Sequence, residues 1–300
     1  MVKSASLARL RAVAAVALLA SASAAWAQKP PPAVQPEAPG ENGGILGVEP
    51  KGPPRPTPRL PDGKPDLTEF WKPLRDPSKP GGNIGKDLPG FKLPLTPAGE
   101  AALQHNLTQT RDPEALCILG GIPRHDASGL PFEILHTTQR LGVLYLYTTY
   151  RLIPIDGRKH EEDPEPGFFG NPVGWWEGDV LVVDSIGFKD KQIWIDENAN
   201  PQSDAMHVVE RWSRPDADHL HLDLTVDDSK FYTRPFTFAR TWVLGKPREG
   251  LREFACNENN VDKEHLGFGP GPIRPDGNRG YLTDKLPDNP PPPEFYETKK

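Results

Sequence analysis

The clearest alternation of apolar and polar residues in the chain lies between Met206 and Leu244. Side chains two residues apart share one face of a strand, so this pattern predicts three consecutive antiparallel strands. Leucine and valine line one face of the middle strand, whereas each outer strand places one charge within an aromatic and apolar face. These charges are Glu210 and Arg240. Because an unpaired buried charge is costly, they indicate either a structural ion pair or a functional site.

The same two-residue period predicts further strands on both sides of this region, over Phe132–Thr138, Leu141–Tyr150, Arg151–Ile155, Val180–Ile186 and Leu251–Cys256. The second and third of these ranges also fit one bent strand that breaks at Pro154. Residues 160–173 are acidic and rich in proline, which predicts a loop. Eight or so short strands with one helix predict a mainly β protein, built as a single antiparallel β-barrel with long Pro/Gly-rich loops.

The first 27 residues have the features of a secretory signal peptide, with Lys3, Arg9 and Arg11 before an apolar run and the small-x-small site Ala25-Trp26-Ala27. We therefore expect cleavage near Ala27 and a periplasmic or secreted protein. The apolar run is too short for a membrane anchor, and no later segment approaches the length that a membrane span needs.

Proline-rich segments flank the predicted barrel. Residues 28–61 show no periodicity and predict an extended tether, residues 62–282 form the barrel domain, and residues 283–300 form a second Pro-rich tail. Within the domain, Thr96 followed by Pro97 is typical of a helix start. That helix is expected to end near Leu107.

Charge and cysteine content exclude several classes of protein. The chain without its predicted signal peptide has 32 basic and 41 acidic side chains, which argues against binding to nucleic acid. Two cysteines remain, Cys117 and Cys256, and either a disulfide or a free buried pair fits an exported protein. Neither cysteine has zinc-site spacing, and the sequence contains no dinucleotide fingerprint, P-loop or nucleophile elbow. We therefore predict no cofactor and no metal.

Two more strands interrupt an apolar row with an ionisable residue, His136 in one and Asp184 in the other. If these rows all point into one barrel, its interior holds His136, Asp184 and Glu210 as candidate catalytic groups, with Arg240 as their cationic, substrate-binding partner. Each group also fits a structural role. Glu210 with Arg240 fits an ion pair, His136 a core histidine, and Asp184 a residue that bonds turn backbone at a strand end.

Further candidates for substrate binding are aromatic or lie in a loop. Tyr145 and Tyr147 share a strand face and would join the interior, and Trp176 is a candidate aromatic platform. Tyr232 and Arg234 lie between two predicted strands, where they would bind a carboxylate or a phenol at the barrel mouth. Rim packing of Tyr232 and an ion pair of Arg234 with a nearby aspartate fit equally well.

Strand parity separates three other histidines from this interior. His207 lies on the face opposite Glu210 unless a bulge intervenes. His219 and His221 share a face with Asp223, in a spacing that fits a metal site. Because the leucines of the same strand occupy its core face, a solvated face is the better interpretation.

Motifs spread over nearly the whole chain after the signal peptide resemble a family of uncharacterised exported bacterial proteins. The matching stretches are DGKPDLT (62–68), LTPAGE (95–100), DPEALC (112–117), PFEILHT (131–137), IDGRKH (155–160), WEGDVLVVDSIGF (176–188), MHVVERW (206–212), TVDDSKFYTRPFTF (225–238) and CNENN (256–260). The resemblance implies a lipocalin-like β-barrel and small, often aromatic, compounds as ligands. It transfers no catalytic residues.

These features predict an exported enzyme that applies acid-base chemistry to a small aromatic or hydrophobic carboxylic acid, as a lyase or decarboxylase rather than a hydrolase. The alternative is a periplasmic binding or carrier barrel in which the same groups only orient a ligand. A structural envelope protein with a closed, filled barrel is the third hypothesis. An enzyme should hold an acid and a base within reach of one cavity. The sequence makes no prediction of the oligomeric state.

Overall fold

Three long strands confirm the alternation between Met206 and Leu244. β7 (His207–Ser213), β8 (His219–Asp227) and β9 (Phe236–Leu244) pair antiparallel in this order. The inward positions include the charged Glu210 and Arg240 as well as the fully buried Trp212 and Trp242. The predicted parity of both charged residues is therefore correct.

A computed structural model describes residues 45–74, 84–89, 92–191, 193–258, 260 and 266–270, all within one compact unit, Gly43–Lys300. The predicted signal peptide (1–27), residues 28–44 of the predicted tether, the end of the predicted barrel domain (271–282) and the predicted tail (283–300) lie outside the described residues. Within the described part of the chain, no helix is long and apolar enough to cross a membrane.

Six further strands complete one antiparallel sheet, namely β1 (Glu69–Pro73), β2 (Phe132–Thr137), β3 (Arg140–Tyr145), β4 (Thr149–Pro154), β5 (Asn171–Glu177) and β6 (Val180–Ile186). The strand order is β4-β3-β2-β1-β9-β8-β7-β6-β5, so β1 joins the two halves of the sheet. The end strands β4 and β5 approach each other, and the sheet forms a nearly closed barrel. Gly174 of β5 lies at this seam, where an added Cβ would come within 2.7 Å of Ile155. The predicted single β-barrel is confirmed.

Helical structure among the described residues includes two helices where the sequence predicted one. α1 (Pro97–Gln109) begins as expected, with Thr96 Oγ1 accepting a hydrogen bond from the Gly99 N–H at 3.0 Å. α2 (Arg124–Ser128) was not predicted, because five residues are too short to show a helical period. All five of its residues are buried.

The strand predictions need three corrections. The range Leu141–Tyr150 is two strands, because the chain reverses at residues 146–148, where Thr148 adopts a positive φ of 54°. β1 and β5 were expected as an entry segment and as a loop with a turn. Residues 251–256 contain no strand. Two of these differences have a local reason, since neither glycine nor proline marks the reversal at Thr148, and Pro172 lies in an end strand, where proline is tolerated.

Residues 45–61 contain no helix or strand, but they are bound to the barrel rather than forming a free tether. Thr57 Oγ1 donates to the Arg214 carbonyl at 3.0 Å, and the Ala217 N–H donates to the Arg55 carbonyl at 3.0 Å. Proline-rich backbone still offers carbonyl acceptors, which explains how such a segment docks. At the other end of the domain, Cys117 and Cys256 form a disulfide with a Cα–Cα distance of 5.6 Å.

The inward leucines of β8 provide a test of the core. Leu222→Ala is expected to destabilise the protein by about 2–5 kcal/mol, because Leu222 is fully buried and its removal leaves a cavity. Asp223→Ala, on the outward face of the same strand, should change the free energy of unfolding by less than about 0.5 kcal/mol. Urea unfolding measures both. Equal losses would contradict the assigned faces.

Candidate active site

Glu210 lies on the inward face of β7 and pairs with Arg151 of β4. Arg151 Nη1 donates to Glu210 Oε1 at 2.9 Å, and Arg151 Nη2 lies 2.6 Å from Oε2. Arg151 Nη2 also donates to Ser185 Oγ at 2.8 Å, and Trp212 Nε1 donates to Glu210 Oε1 at 3.1 Å. The predicted pair of Glu210 with Arg240 is therefore wrong. The guanidinium comes instead from Arg151 of β4. Arg151 faces the interior because the chain reverses before β4, and the sequence did not predict that reversal.

Asp126 of α2 is a second buried carboxyl group facing this ion pair. The Tyr145 hydroxyl donates to Asp126 Oδ1 at 3.3 Å. Burial, reinforced by the negative charge of Glu210, raises the pKa of Asp126 to about 8, although the charge of Arg151 opposes the rise. Asp126 therefore holds its proton at neutral pH. A carboxylic acid in this state can act as a general acid.

His125 precedes Asp126 in α2 and has a different environment. Its Nδ1 lies 3.0 Å from Glu114 Oε1, and its ring centroid lies 4.9 Å from that of Tyr145. Burial favours a higher pKa for Glu114, but the charge of Arg124 and the contact with His125 outweigh it and lower this pKa to about 2. A charged carboxylate at Nδ1 favours the tautomer that leaves Nε2 as a proton acceptor. His125 thus has the arrangement of a general base.

The segment that carries Glu114 is fixed from two sides. Arg124 Nε donates to Glu114 Oε2 at 2.7 Å, and Arg124 Nη2 donates to Asp112 Oδ2 at 2.8 Å. On the other side, the backbone N–H of Cys117 donates to the Glu114 carbonyl at 2.9 Å, and Cys117 is bonded to Cys256. The disulfide therefore helps to hold the carboxylate that orients His125.

Several buried polar atoms around α2 have no hydrogen-bond partner among the described residues. They are Glu114 Oε1, Arg124 Nη1, His125 Nε2, Asp126 Oδ2, Arg151 Nε and Arg240 Nη2. Most buried polar atoms of native proteins are hydrogen-bonded, so a group of unpaired donors and acceptors indicates a place where a ligand can supply partners. In this set His125 Nε2 can accept a proton, the protonated carboxyl of Asp126 can donate one, and the arginine nitrogens are cationic donors, which suits a ligand with both a proton to give and a negative charge.

Arg240 adjoins this cluster through α2. Its Nε donates to the Ala127 carbonyl at 3.1 Å, and its Nη1 bonds the carboxylate of Asp87. Its positive charge also acts on Asp126, where it opposes the rise in pKa. Arg240 thus adjoins the cluster around α2, where its neighbour is Asp126 rather than the predicted Glu210.

His136 faces inward but belongs to a different part of the barrel. Its Nδ1 accepts a hydrogen bond from the Leu67 N–H at 3.2 Å, and its ring centroid lies 5.8 Å from that of Trp176. Burial lowers the pKa of His136. No hydrogen bond or ion pair between described residues joins His136 to Glu210. The structure therefore does not bring His136 and Trp176 into the cluster around α2.

Asp184 lies on the outward face of β6, opposite the buried Ser185. Its Oδ1 is 2.7 Å from His160 Nε2, and its Oδ2 is 2.8 Å from His207 Nε2. The prediction that Asp184 shares an interior with Glu210 is wrong, because the valine row that suggested it is the outward row of β6. The predicted separation of His207 from Glu210 is confirmed.

Of the two tyrosines expected to share one face, only Tyr145 lies in the interior. Tyr147 lies past the end of β3, partly exposed, with its ring centroid 5.2 Å from that of Phe254 and 6.2 Å from that of His125. Tyr145 stacks on Phe169 at 5.5 Å. Tyr147 therefore borders the site through His125 without lining the same strand face as Tyr145.

The two candidates in the loop before β9 are not part of this site. Tyr232 is buried and its hydroxyl donates to the Pro201 carbonyl at 2.7 Å, so it is a packing residue. Arg234 is exposed, and its Nη1 donates to the Pro235 carbonyl at 3.4 Å. His219 and His221 lie on the outward face of β8, as predicted, where each contacts an aspartate.

Sequence reasoning missed His125, Asp126, Glu114 and Arg151. The first two were hidden in a helix too short to show a period, although an adjacent histidine and aspartate following an arginine was a visible signal. Arg151 was missed because the apolar residues on either side of it, Tyr150 and Leu152, lie on the exposed face of β4, while the charged residue is buried.

A scan against protein-family models, a search of curated proteins and a search of solved structures each found no match to this chain. Among the described residues, no group of three or more histidine, cysteine, aspartate or glutamate side chains is arranged to hold a metal ion.

The raised pKa of Asp126 predicts a pH dependence of stability. An unfolded aspartate loses its proton near pH 4, whereas the folded Asp126 keeps it to about pH 8. The stabilisation that Asp126 adds to the free energy of unfolding is complete below about pH 4. It is lost as pH rises towards 8, by about 1.4 kcal/mol per pH unit. Asp126→Asn should remove this slope in urea unfolding between about pH 5 and pH 8, and the exposed control Asp223→Asn should retain it. Equal slopes in all three proteins would refute the assignment.

Removing one member of the buried ion pair should be costly. Arg151→Met is expected to lower the free energy of unfolding by about 3–5 kcal/mol, because it leaves Glu210 charged and unpaired. The double variant Arg151→Met/Glu210→Leu should recover much of this loss, since no lone charge remains. Arg234→Met, at an exposed arginine, is the matched control. A double variant as unstable as the sum of its single variants would argue against the pair.

Proposed function

We propose that the protein is an exported enzyme that applies acid-base chemistry to a small aromatic or hydrophobic carboxylic acid at the cluster around α2. The proposal depends on one observation. Two adjacent buried residues, His125 and Asp126, have environments that favour opposite proton roles, a base oriented by a carboxylate and a neutral acid. Pairs of titratable groups separated in this way are typical of acid-base catalysis.

In this proposal His125 Nε2 accepts a proton from an acidic O–H or C–H of the substrate, while Glu114 holds the ring at Nδ1. Asp126 then delivers its proton to the carbon that loses its substituent. In a decarboxylation the bond between that carbon and the carboxylate breaks, carbon dioxide leaves, and the electron pair remains on the carbon until Asp126 protonates it. Solvent returns a proton to Asp126, and His125 gives the proton that it accepted back to the product oxygen or to solvent, so both groups regain their starting states. Lyase or decarboxylase chemistry therefore uses both groups once in each turnover.

Aromatic rings and a free cationic donor support the proposed substrate class. The rings of Tyr145 and Phe169 stack beside His125, which suits a flat aromatic ligand. The unpaired Nη2 of Arg240 is a donor for a carboxylate. The disulfide, together with the predicted signal peptide, supports a periplasmic or secreted location.

The test is consumption of pooled aromatic carboxylic acids by the purified protein, followed by mass spectrometry. Asp126→Asn and His125→Gln should each reduce turnover by about 100-fold or more, since general acid or base catalysis contributes on the order of 10²–10⁴-fold. Turnover should also fall as pH rises through about 8, where Asp126 loses its proton. Asp223→Asn, on the outward face of β8, is the matched control and should retain full activity.

Each remaining outcome distinguishes the alternatives. Full turnover in both α2 variants would exclude this site. A thermal shift with an acid that is never consumed would favour the carrier alternative, in which Asp126 and Arg240 only orient the ligand. Neither consumption nor a shift with any acid in the pool would favour a structural barrel.

A further inference from the structure

The outward face of strands β2, β3 and β4 is unusually apolar for a surface. Leu135 of β2 and Tyr150 and Leu152 of β4 are 52 %, 66 % and 50 % exposed, and Leu144 of the intervening strand β3 pairs with Tyr150. These side chains line one hollow across β2, β3 and β4, so they form a continuous patch rather than scattered surface residues. A patch of this kind marks an interaction surface more often than a solvated face.

The same barrel shows what a solvated outward face looks like. The outward positions of β8 are His219, His221, Asp223 and Thr225, and β7 adds Arg211. Both regions obey the same alternation, so strand geometry alone does not demand leucine on the outside of β2 and β4. The apolar residues are therefore a property of this patch.

The patch is concave at its centre. Gly142 lies directly between Leu135 and Leu152 in the register and has no side chain to fill the space. A hollow of about 580 Å³ results, and its lining also includes Arg140. An added Cβ at Gly142 would make ordinary contacts, the nearest at 3.6 Å from Leu152, so the glycine is not required by crowding. The hollow can thus receive apolar side chains from outside.

Opposite charges mark the two ends of the patch. Glu133 of β2 pairs with Leu144 of β3, which pairs with Tyr150 of β4. Along β3, Gly142 lies two residues from Leu144 and Arg140 lies two residues beyond Gly142, at the other end of the patch. Neither Glu133 nor Arg140 belongs to an ion pair within the described ranges of the chain. Asp156 also lines the hollow near Arg140, but its carboxylate is paired with Arg158, so the patch carries an unpaired negative charge at one end, an apolar middle and an unpaired positive charge at the other end.

We propose that this face binds a second copy of the chain to form a two-fold symmetric dimer. Two identical faces can meet about a two-fold axis that lies in their common plane. If the axis runs across the strands at the level of Gly142, Arg140 of each copy lies opposite Glu133 of the other. An axis along the strands would place like charges together, so charge selects the first arrangement.

The charge of the whole chain makes this complementarity necessary. The chain has a formal net charge of -6, so two copies repel each other at long range. Burial of the leucines and Tyr150 must offset that repulsion, and the two Arg140–Glu133 contacts reduce it at the interface itself. The inference is independent of the proposed function, since none of these residues lies in the cluster around α2.

The test is the oligomeric state of the full chain, measured by sedimentation over a range of protein concentrations. We expect a dimer, with Arg140→Glu or Glu133→Arg each weakening it by about tenfold or more, the equivalent of about 1.4 kcal/mol. The double variant Arg140→Glu/Glu133→Arg restores opposite charges and should recover most of the affinity. Leu152→Glu should abolish the dimer without changing the thermal midpoint of the resulting monomer, because Leu152 is half exposed. Arg234→Glu is the matched control and should leave the dimer intact.

Three results would overturn the proposal. One is a monomer at all concentrations. The second is a dimer that Leu152→Glu leaves unchanged, since another face would then form it. The third is a monomer that Leu152→Glu destabilises strongly, which would show that a segment of the same chain covers the patch.

Discussion

The ion pair between Arg151 and Glu210 connects the two ends of the sheet through the barrel interior. Arg151 comes from the end strand β4, whereas Glu210 and its neighbour Ser185 come from β7 and β6, at the other side of the seam. The end strands β4 and β5 are not joined by a hydrogen-bonded ladder, so contacts between side chains have to hold the two ends of the sheet together. A charged pair is suited to this role because an open or shifted barrel would separate the two charges. Each buried charge would then lack its partner, which is energetically costly.

The chemistry of the candidate site depends on the same pair. Asp126 is neutral because it is buried, and the fixed negative charge of Glu210 strengthens that effect. In the interior, Glu210 is paired with Arg151 and accepts a hydrogen bond from Trp212 Nε1. The pair thus closes the barrel and also keeps a proton on a nearby carboxyl group. His125 is controlled separately, by the loop that Arg124 and the disulfide hold.

The two faces of β2–β4 illustrate how one sheet can serve two purposes. Inward residues of these strands, such as Tyr145 and Arg151, belong to the polar cluster around α2. Outward residues of the same strands, such as Leu135 and Leu152, form the apolar patch for which we propose a second copy. Because alternate residues point to opposite sides, either surface can change without altering the other.

The local sequence determined which stretches form the long strands and, for β2, β7, β8 and β9, which face is buried, whereas it assigned the wrong face to β6. It placed Glu210, Arg240 and His136 inward and His207 outward, because alternation is a property of neighbouring residues and needs no knowledge of the fold. Only the tertiary structure decided which of these residues meet. The reversal before β4 turned Arg151 towards Glu210, and α2 brought His125 and Asp126 into the interior, although neither event has a periodic signal. Contacts across a closed barrel depend on its register and closure, so residues far apart in the chain become partners for reasons that no single stretch of sequence contains.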